Sequence, residues 1–151
     1  MALYHLAQLN IARMKYTLDD PALKDFVDAL DPVNASADAY PGFIWRLQTD
    51  DGDATDIRIY DDDHYLVNMS VWRDLDTLKS FVASQQHGNI MRRRSEWFEK
   101  MDVPFSVLWW VPEHHRPSVP EAQDKLDALR EDGPTPAAFN FESVFPPPGE
   151  D

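Results

Sequence analysis

The sequence contains no cysteine. This absence excludes disulfide bonds, thiolate metal ligands and a cysteine nucleophile. No apolar run is long enough to cross a membrane as a helix. Basic residues are few: 14 lysines and arginines stand against 27 aspartates and glutamates, which gives a formal net charge of −13. Because this charge would repel a phosphate backbone, we expect neither nucleic acid nor a membrane among the partners.

Three common motifs are also absent. The chain has no G-x-S-x-G, no P-loop and no G-x-G-x-x-G. Serine hydrolysis, NTP hydrolysis and dinucleotide binding therefore have no support from motifs. The residues after Met1 do not follow the basic-then-apolar pattern of a secretory signal. We expect a cytoplasmic protein.

The chain does contain enough apolar and aromatic residues for one core, 43% and 12% of its 151 residues. This length suits a single domain. We expect that domain to span residues 1–145, followed by a disordered proline-rich tail at 146–151.

Alternating and helical apolar patterns predict an α+β fold. Strands are expected at 3–13, 43–48, 57–60, 65–72, 105–111 and 137–141. Helices are expected at 21–39 with an interruption at Pro32, at 74–101 and at 118–130. Apart from the short strand at 57–60, the order is a ferredoxin-like β-α-β-β-α-β core with an extra C-terminal helix and strand. Such a core is an antiparallel sheet with helices on one face.

The longest predicted helix, 74–101, carries the best clue to a site. Its apolar stripe changes face near Gly88, which indicates a bend or break there. The stripe of its second half includes His87 and Arg94 beside Trp97. A histidine and an arginine buried among apolar groups must find partners, which makes this face a candidate site.

His87 is a candidate general base or substrate-orienting group, because imidazole titrates near neutral pH. Two alternatives stay open: a helix-end histidine hydrogen-bonded to backbone or a carboxylate, and a haem ligand facing an apolar slot. Arg94 could hold a carboxylate, phenolate or enolate of a ligand. The alternative, which the sequence alone favours, is an intramolecular salt bridge or an arginine whose head lies in solvent.

Polar and aromatic residues also lie on the predicted strands: Asn10, Arg46, Asn68, Ser70 and Trp72. If their faces converge, they would form a small-molecule pocket; the alternative is a hydrogen-bond network in a dimer core. Trp45 and Trp97 are candidate walls of the same pocket, although tryptophans most often serve core packing.

No metal site is expected. His114 and His115, even with His64 and His5, lack the spacing of metal ligands. The acidic run at 61–63 lacks the residue order of a calcium-binding loop.

The other face of the predicted sheet carries Trp, Phe and Met side chains and is too apolar to remain in water. We expect a second copy of the chain to cover it, most often about a two-fold axis.

Several segments together resemble a known family. They are LAQLNIAR, DPALKDFVDALDPVNASAD, PGFIWRLQ, VNMSVW, HGNIMRRRSEWFEKM, LWWVPEHHRP and GPTPAAFNF. The chain resembles, from about Leu3 to about Phe141, an uncharacterised bacterial family allied to the antibiotic-biosynthesis monooxygenases of the dimeric α+β-barrel superfamily. The resemblance implies a homodimer with a pocket between sheet and helices in each subunit.

That superfamily includes cofactor-independent oxygenases, isomerases and haem-binding enzymes, and fold alone does not select among them. The function we expect is that of a small-molecule enzyme resembling the cofactor-independent monooxygenases, or an isomerase or cyclase that needs no metal. Its substrate would be an apolar or aromatic metabolite, with His87 as base and Arg94, Asn10 or Asn68 stabilising the oxyanion. The alternatives are a non-catalytic dimer that binds a small ligand, and a haem protein that uses His87.

Overall fold

The structure, a computed structural model, describes residues 3–48, 57–60, 62, 64–84, 88 and 92–149. Its strands are β1 (Tyr4–Arg13), β2 (Phe43–Arg46), β3 (Tyr65–Trp72) and β4 (Ser106–Pro112). Its helices are a 3-10 turn (Pro21–Leu23), α1 (Lys24–Asp38), α2 (Leu75–Val82), α3 (Arg94–Trp97) and α4 (Val119–Asp132). None of the helices in these ranges is both long and apolar enough to cross a bilayer.

The four strands form one antiparallel sheet in the order β2-β3-β1-β4. This is the order of a ferredoxin-like core, and it confirms the predicted α+β class. Because side chains alternate along a strand, β1 sends Gln8 and Asn10 to one face and Ala7 and Leu9 to the other. The first of these faces is called the even face below, and the second the odd face.

The odd face is covered by α4 of the same chain. Ala7 and Leu9 are fully buried there in one cluster with Leu126 and Leu129 of α4. The N-terminus of α4 forms as its capping residues predict, because the Ser118 side chain accepts from the Glu121 N–H. The expectation that a second copy must cover this apolar face was therefore wrong, since the chain covers it itself.

The even face is covered by α1 and α2. Helix α1 runs through Pro32 without the predicted interruption. A proline inside a helix removes one backbone hydrogen bond. Packing outweighs that loss here, because Phe26 and Ala37 on either side of Pro32 are both held in apolar clusters. Asp74 begins α2 with a capping box that it shares with Thr77.

The predicted helix at 74–101 is broken, as its change of apolar face indicated, but its first part ends before Gly88. Helix α2 ends at Val82, with Ala83 as its C-cap, and a separate helix, α3, begins at Arg94. Phe98 is already extended and bridges to Met14, so the helical stretch ends before residue 101. Residues 85–87 and 89–91, which include His87, lie outside the described residues.

Two short predicted strands are reduced to isolated bridges. At 57–60 the chain makes one bridge, between Ile59 and Asp62. At 137–141 it makes a two-way bridge in which the N–H groups of Leu108 and Phe139 each donate to the other residue's carbonyl, at 2.7 and 2.9 Å. The extra C-terminal segment therefore extends the β4 edge by a single bridge and adds no full strand.

Gly42 is required where the turn before β2 meets α2. Its φ is +92°, and a Cβ atom there would lie 2.5 Å from the Cβ of Thr77, which belongs to the α2 capping box. Gly133 also has a positive φ, +73°, but a Cβ there would meet nothing within 4 Å.

We predict that Gly42→Ala lowers the free energy of unfolding more than Gly133→Ala does. Both substitutions carry a backbone cost of about 1–3 kcal/mol. Only Gly42→Ala adds an overpacking cost, of about 1–3 kcal/mol. Urea unfolding of the two variants beside the wild type measures the difference. Equal losses would contradict a close approach of Gly42 to Thr77.

Candidate functional site

A cavity of about 420 Å³ lies between the even face of the sheet and the helices α1 and α2. This volume falls in the range of small-molecule sites in proteins. Apolar clusters close it at both ends. Trp72 packs with Phe81 of α2 at one end, and Phe26 of α1 packs with Phe98 and Trp97 at the other.

The floor of the cavity is polar. Two rows of side chains cross the strands side by side there, one formed by Arg46, Ser70 and Gln8, the other by Asn68, Asn10 and Ser106. All six residues line the cavity. Strand register produces this arrangement, because directly opposed residues of neighbouring antiparallel strands share a face.

Hydrogen bonds fix part of this floor. Nε2 of Gln8 donates to Oδ1 of Asn68 at 2.6 Å and to Oγ of Ser70 at 2.8 Å. The indole Nε1 of Trp72 donates to the same Ser70 oxygen at 2.8 Å. Gln8, Ser70 and Trp72 are all buried. The four hydrogen-bonded residues Gln8, Asn68, Ser70 and Trp72 are called the floor network below.

The two arginines that line the cavity differ in their partners. Arg46 forms an ion pair with Asp38 at the end of α1, with 2.8 Å between Nε and Oδ1. Its charge is therefore neutralised within the chain. Arg94 has no such partner: within the described ranges, no carboxylate lies within ion-pair distance of it.

Arg94 reaches the cavity from the start of α3. Its guanidinium carbon lies 4.6 Å from the centre of the Phe105 ring. Burial lowers the pKa of Arg94 below its ordinary value, because a charge loses hydration there. An arginine remains protonated under such a shift. The cavity thus has a half-buried cation on a largely apolar wall.

The neighbouring arginine explains why α3 is held in this place. Arg93 forms ion pairs with Asp25 of α1 at 3.0 Å and with Glu96 at 2.8 Å, and it stacks over Trp97 at 4.8 Å. These contacts tie α3 to α1. The next side chain, that of Arg94, then faces the cavity.

Most of the residues predicted for a pocket are brought together by the fold. Those that line the cavity are Asn10, Arg46, Asn68, Ser70, Trp72 and Arg94. The salt bridge that the sequence favoured for Arg94 is not found among the described residues. The catalytic or binding roles of these residues stay predictions.

Trp45 and Trp97 do not line the cavity. Trp45 precedes Arg46 on β2 and lies on the odd face, where it packs against the cluster under α4. Because side chains alternate along a strand, Trp45 and Arg46 cannot both face the cavity. Trp97 is 1% exposed and is enclosed behind Phe26 and Phe98. It supports the cavity wall from behind.

Three polar lining residues were missed as candidates, Gln8, Ser106 and Asn34 of α1. Gln8 can be identified from the sequence, because it lies two residues before Asn10 and strand alternation places both on the same face. Ser106 is the residue opposite Asn10 on β4, and only the strand pairing identifies it. No histidine of the described residues lines this cavity, so His87 remains the imidazole to test.

No group of three or more potential metal ligands occurs among the described residues. His115 instead pairs with Glu121, at 2.7 Å, and Glu121 also accepts from Nε1 of Trp109 at 3.0 Å. His114 and His115 thus border α4, on the side of the sheet away from the cavity.

Comparisons with known proteins agree with this architecture. The chain is similar to a conserved protein from Methanosarcina mazei Go1, with a TM-score of 0.50 and 13% identity over 73% of this chain and 92% of that one. It is also similar to a variant of SnoaB, a cofactor-independent oxygenase from Streptomyces nogalater, with a TM-score of 0.48 and 14% identity over 74% and 95% of the two chains. At such identities these likenesses concern the fold alone.

None of the curated proteins matches the sequence. The sequence profile of a domain of unknown function, DUF3291, matches residues 5–151. This match spans nearly the whole chain, as the resemblance to an uncharacterised family predicted. The chain belongs to the DUF3291 family.

Proposed function

We propose that the protein is a small-molecule enzyme that forms an oxyanion on an apolar, aromatic metabolite, in the manner of a cofactor-independent monooxygenase. One observation carries the proposal: the half-buried Arg94 lines a largely apolar cavity without a carboxylate partner among the described residues. The cation makes this cavity suited to an anionic or anion-forming ligand.

The energetics favour an anion beside Arg94. Removing a cation from water is costly unless an opposite charge compensates it. Electrostatic attraction is also stronger in a site of low dielectric constant than in water. A phenolate, enolate or carboxylate at the guanidinium would therefore offset the burial that already lowers the pKa of Arg94.

His87 is the proposed general base. It lies in sequence between Val82 and Arg94, and both of these residues line the cavity. In the proposed step, a proton moves from an acidic C–H or O–H of the ligand to the imidazole. The electron pair stays on the ligand as an enolate or phenolate, which Arg94 stabilises together with Asn10 or Asn68.

Dioxygen is the proposed second substrate. The electron-rich anion supplies the electrons that reduce it, so the reaction is written without a cofactor. A methylene group of the ligand loses both hydrogens and becomes a carbonyl. One oxygen atom of dioxygen forms that carbonyl, and the other leaves as water with the two hydrogens.

We further propose that the protein is a cytoplasmic homodimer, on the sequence resemblance to dimeric barrels. Since α4 already covers the odd face, a second copy would bind through another surface of the chain.

The first test replaces the cation. We predict that Arg94→Met weakens the binding of 2-naphthoate about 10-fold to 100-fold, the value of one hydrogen bond to a charged group. Arg92→Met is the matched control. It removes the same charge from an exposed position close in sequence that does not line the cavity. Calorimetric titration measures both; an equal effect of the two substitutions would contradict a specific role of Arg94.

The second test concerns the base. We predict that His87→Gln lowers oxygen consumption with an aromatic ketone that has an acidic methylene, such as anthrone, by about 10²- to 10⁴-fold. Binding of 2-naphthoate should persist. His64→Gln serves as the control, because His64 is exposed and does not line the cavity.

Two results obtained with His87→Gln would contradict the proposal and favour a different function. Unchanged oxygen consumption in His87→Gln, with the fold intact, would contradict a base at this position and favour a non-catalytic binding protein. A Soret absorbance band in the purified protein that His87→Gln abolishes would favour a haem protein.

A further inference from the structure

The Ser70 hydroxyl oxygen accepts two hydrogen bonds in the structure. The donors are Nε2 of Gln8 and Nε1 of Trp72, each at 2.8 Å. A hydroxyl has two lone pairs and one proton. Both lone pairs are therefore occupied, and only the proton is left. The indole N–H can only donate, so the bond from Trp72 cannot be reversed.

The proton of Ser70 has no acceptor within the described part of the chain. Ser70 is 7% exposed and lines the cavity. A buried donor without an acceptor costs about 1–3 kcal/mol. A ligand oxygen placed over Ser70 would remove that cost.

Asn68 also offers a donor to the cavity. Its Oδ1 accepts from Nε2 of Gln8 at 2.6 Å, which occupies one of the two lone pairs of that oxygen, and its Nδ2 makes no hydrogen bond within the described part of the chain. Gln8 uses Nε2 for both of these bonds and is itself 9% exposed. Its own Oε1 is the acceptor that remains in the floor network. Ser70 and Asn68 thus form two neighbouring donors on β3.

We propose that Ser70 and Asn68 form a hydrogen-bond donor site that selects ligands with a carbonyl or oxyanion oxygen at the floor of the cavity. Gln8 and Trp72 are its positioning residues, because they occupy the acceptor oxygens and leave the donors to the ligand. The inference rests on the proposed function only in taking this cavity as the ligand site.

The proposed donor site determines which chemical class of ligand the cavity can bind. A ligand N–H over Ser70 would bring two donors together, and neither would be satisfied. Sites of this kind discriminate strongly, because a mismatch leaves buried polar groups unpaired. Two donors directed at one oxygen also stabilise negative charge that develops there. Aromatic ketones, quinones and phenolates fit this requirement, whereas aromatic amines do not.

Three neutral tricyclic compounds of similar shape test the selection. Fluorenone has a carbonyl acceptor, fluorene has no polar group, and carbazole has an N–H donor. Because none of them is charged, the ion-pairing capacity of Arg94 does not separate them. We predict that the wild type binds fluorenone at least about five-fold more tightly than carbazole, as expected for one hydrogen bond. Equilibrium dialysis measures the three affinities.

Ser70→Ala should reduce the preference for fluorenone over carbazole at least about three-fold, because one donor is lost. Ser106→Ala is the matched control. Ser106 lines the same cavity, on β4, and its side chain belongs to no hydrogen bond of the floor network. The preference should fall less in that variant than in Ser70→Ala, because no neighbouring donor directs the Ser106 hydroxyl toward the ligand.

Trp72→Phe tests the positioning role. It keeps the Ser70 hydroxyl but frees one of its lone pairs, so carbazole should gain affinity relative to fluorene. A purely structural role of Trp72 would change the affinities of all three compounds by the same factor.

Three results would overturn the inference. Equal affinities of the wild type for the three compounds would exclude a donor site and leave the proposed function standing. An equal loss of preference in Ser70→Ala and Ser106→Ala would remove the role of Ser70. Failure of all three compounds to bind saturably would overturn both the inference and the proposed ligand site.

Discussion

The hydrogen bonds among Gln8, Asn68, Ser70 and Trp72 are the interaction on which the site depends. A sheet face between two helices is normally filled by apolar side chains, yet this one carries amides and hydroxyls at its centre. Unpaired, each buried polar group would cost about 1–3 kcal/mol. The floor network satisfies most of them, while apolar clusters at both ends support the helices. A cavity with a polar floor and apolar walls follows.

The charge distribution gives this cavity its chemistry. The chain is strongly acidic, and several of its arginines pair with carboxylates, as Arg46 does with Asp38 and Arg93 with Asp25. Arg94 differs: it is half-buried over Phe105 and without a carboxylate partner among the described residues. Donors on the floor and a cation on the wall both favour a ligand oxygen that carries negative charge.

The sequence predicted the elements whose signals are local. Alternation on β1 and β3 and the caps at Asp74 and Ser118 all recur in the structure. Signals that depend on tertiary packing failed. Packing carries α1 through Pro32, and the change of apolar face near Gly88 indicated a break without showing that α2 already ends at Val82.

The site was predicted in part for similar reasons. Strand alternation suffices to place Trp45 and Arg46 on opposite faces and Gln8 on the same face as Asn10. Tertiary packing determines which face of the sheet α4 covers, and no local sequence pattern shows it. The expectation that this face would be left for a partner was therefore wrong. The pairing of Ser106 with Asn10 also needs the strand order.

The most direct test of an oxyanion-stabilising cavity is the pKa of a phenol bound in it. Absorbance titration of 2-naphthol, free and with saturating protein, measures this value. The cation and the floor donors should lower the pKa of the bound phenol by at least about one unit, the effect of an opposite charge nearby. A pKa that is unchanged or raised, as burial in an apolar cavity alone would produce, would contradict the account.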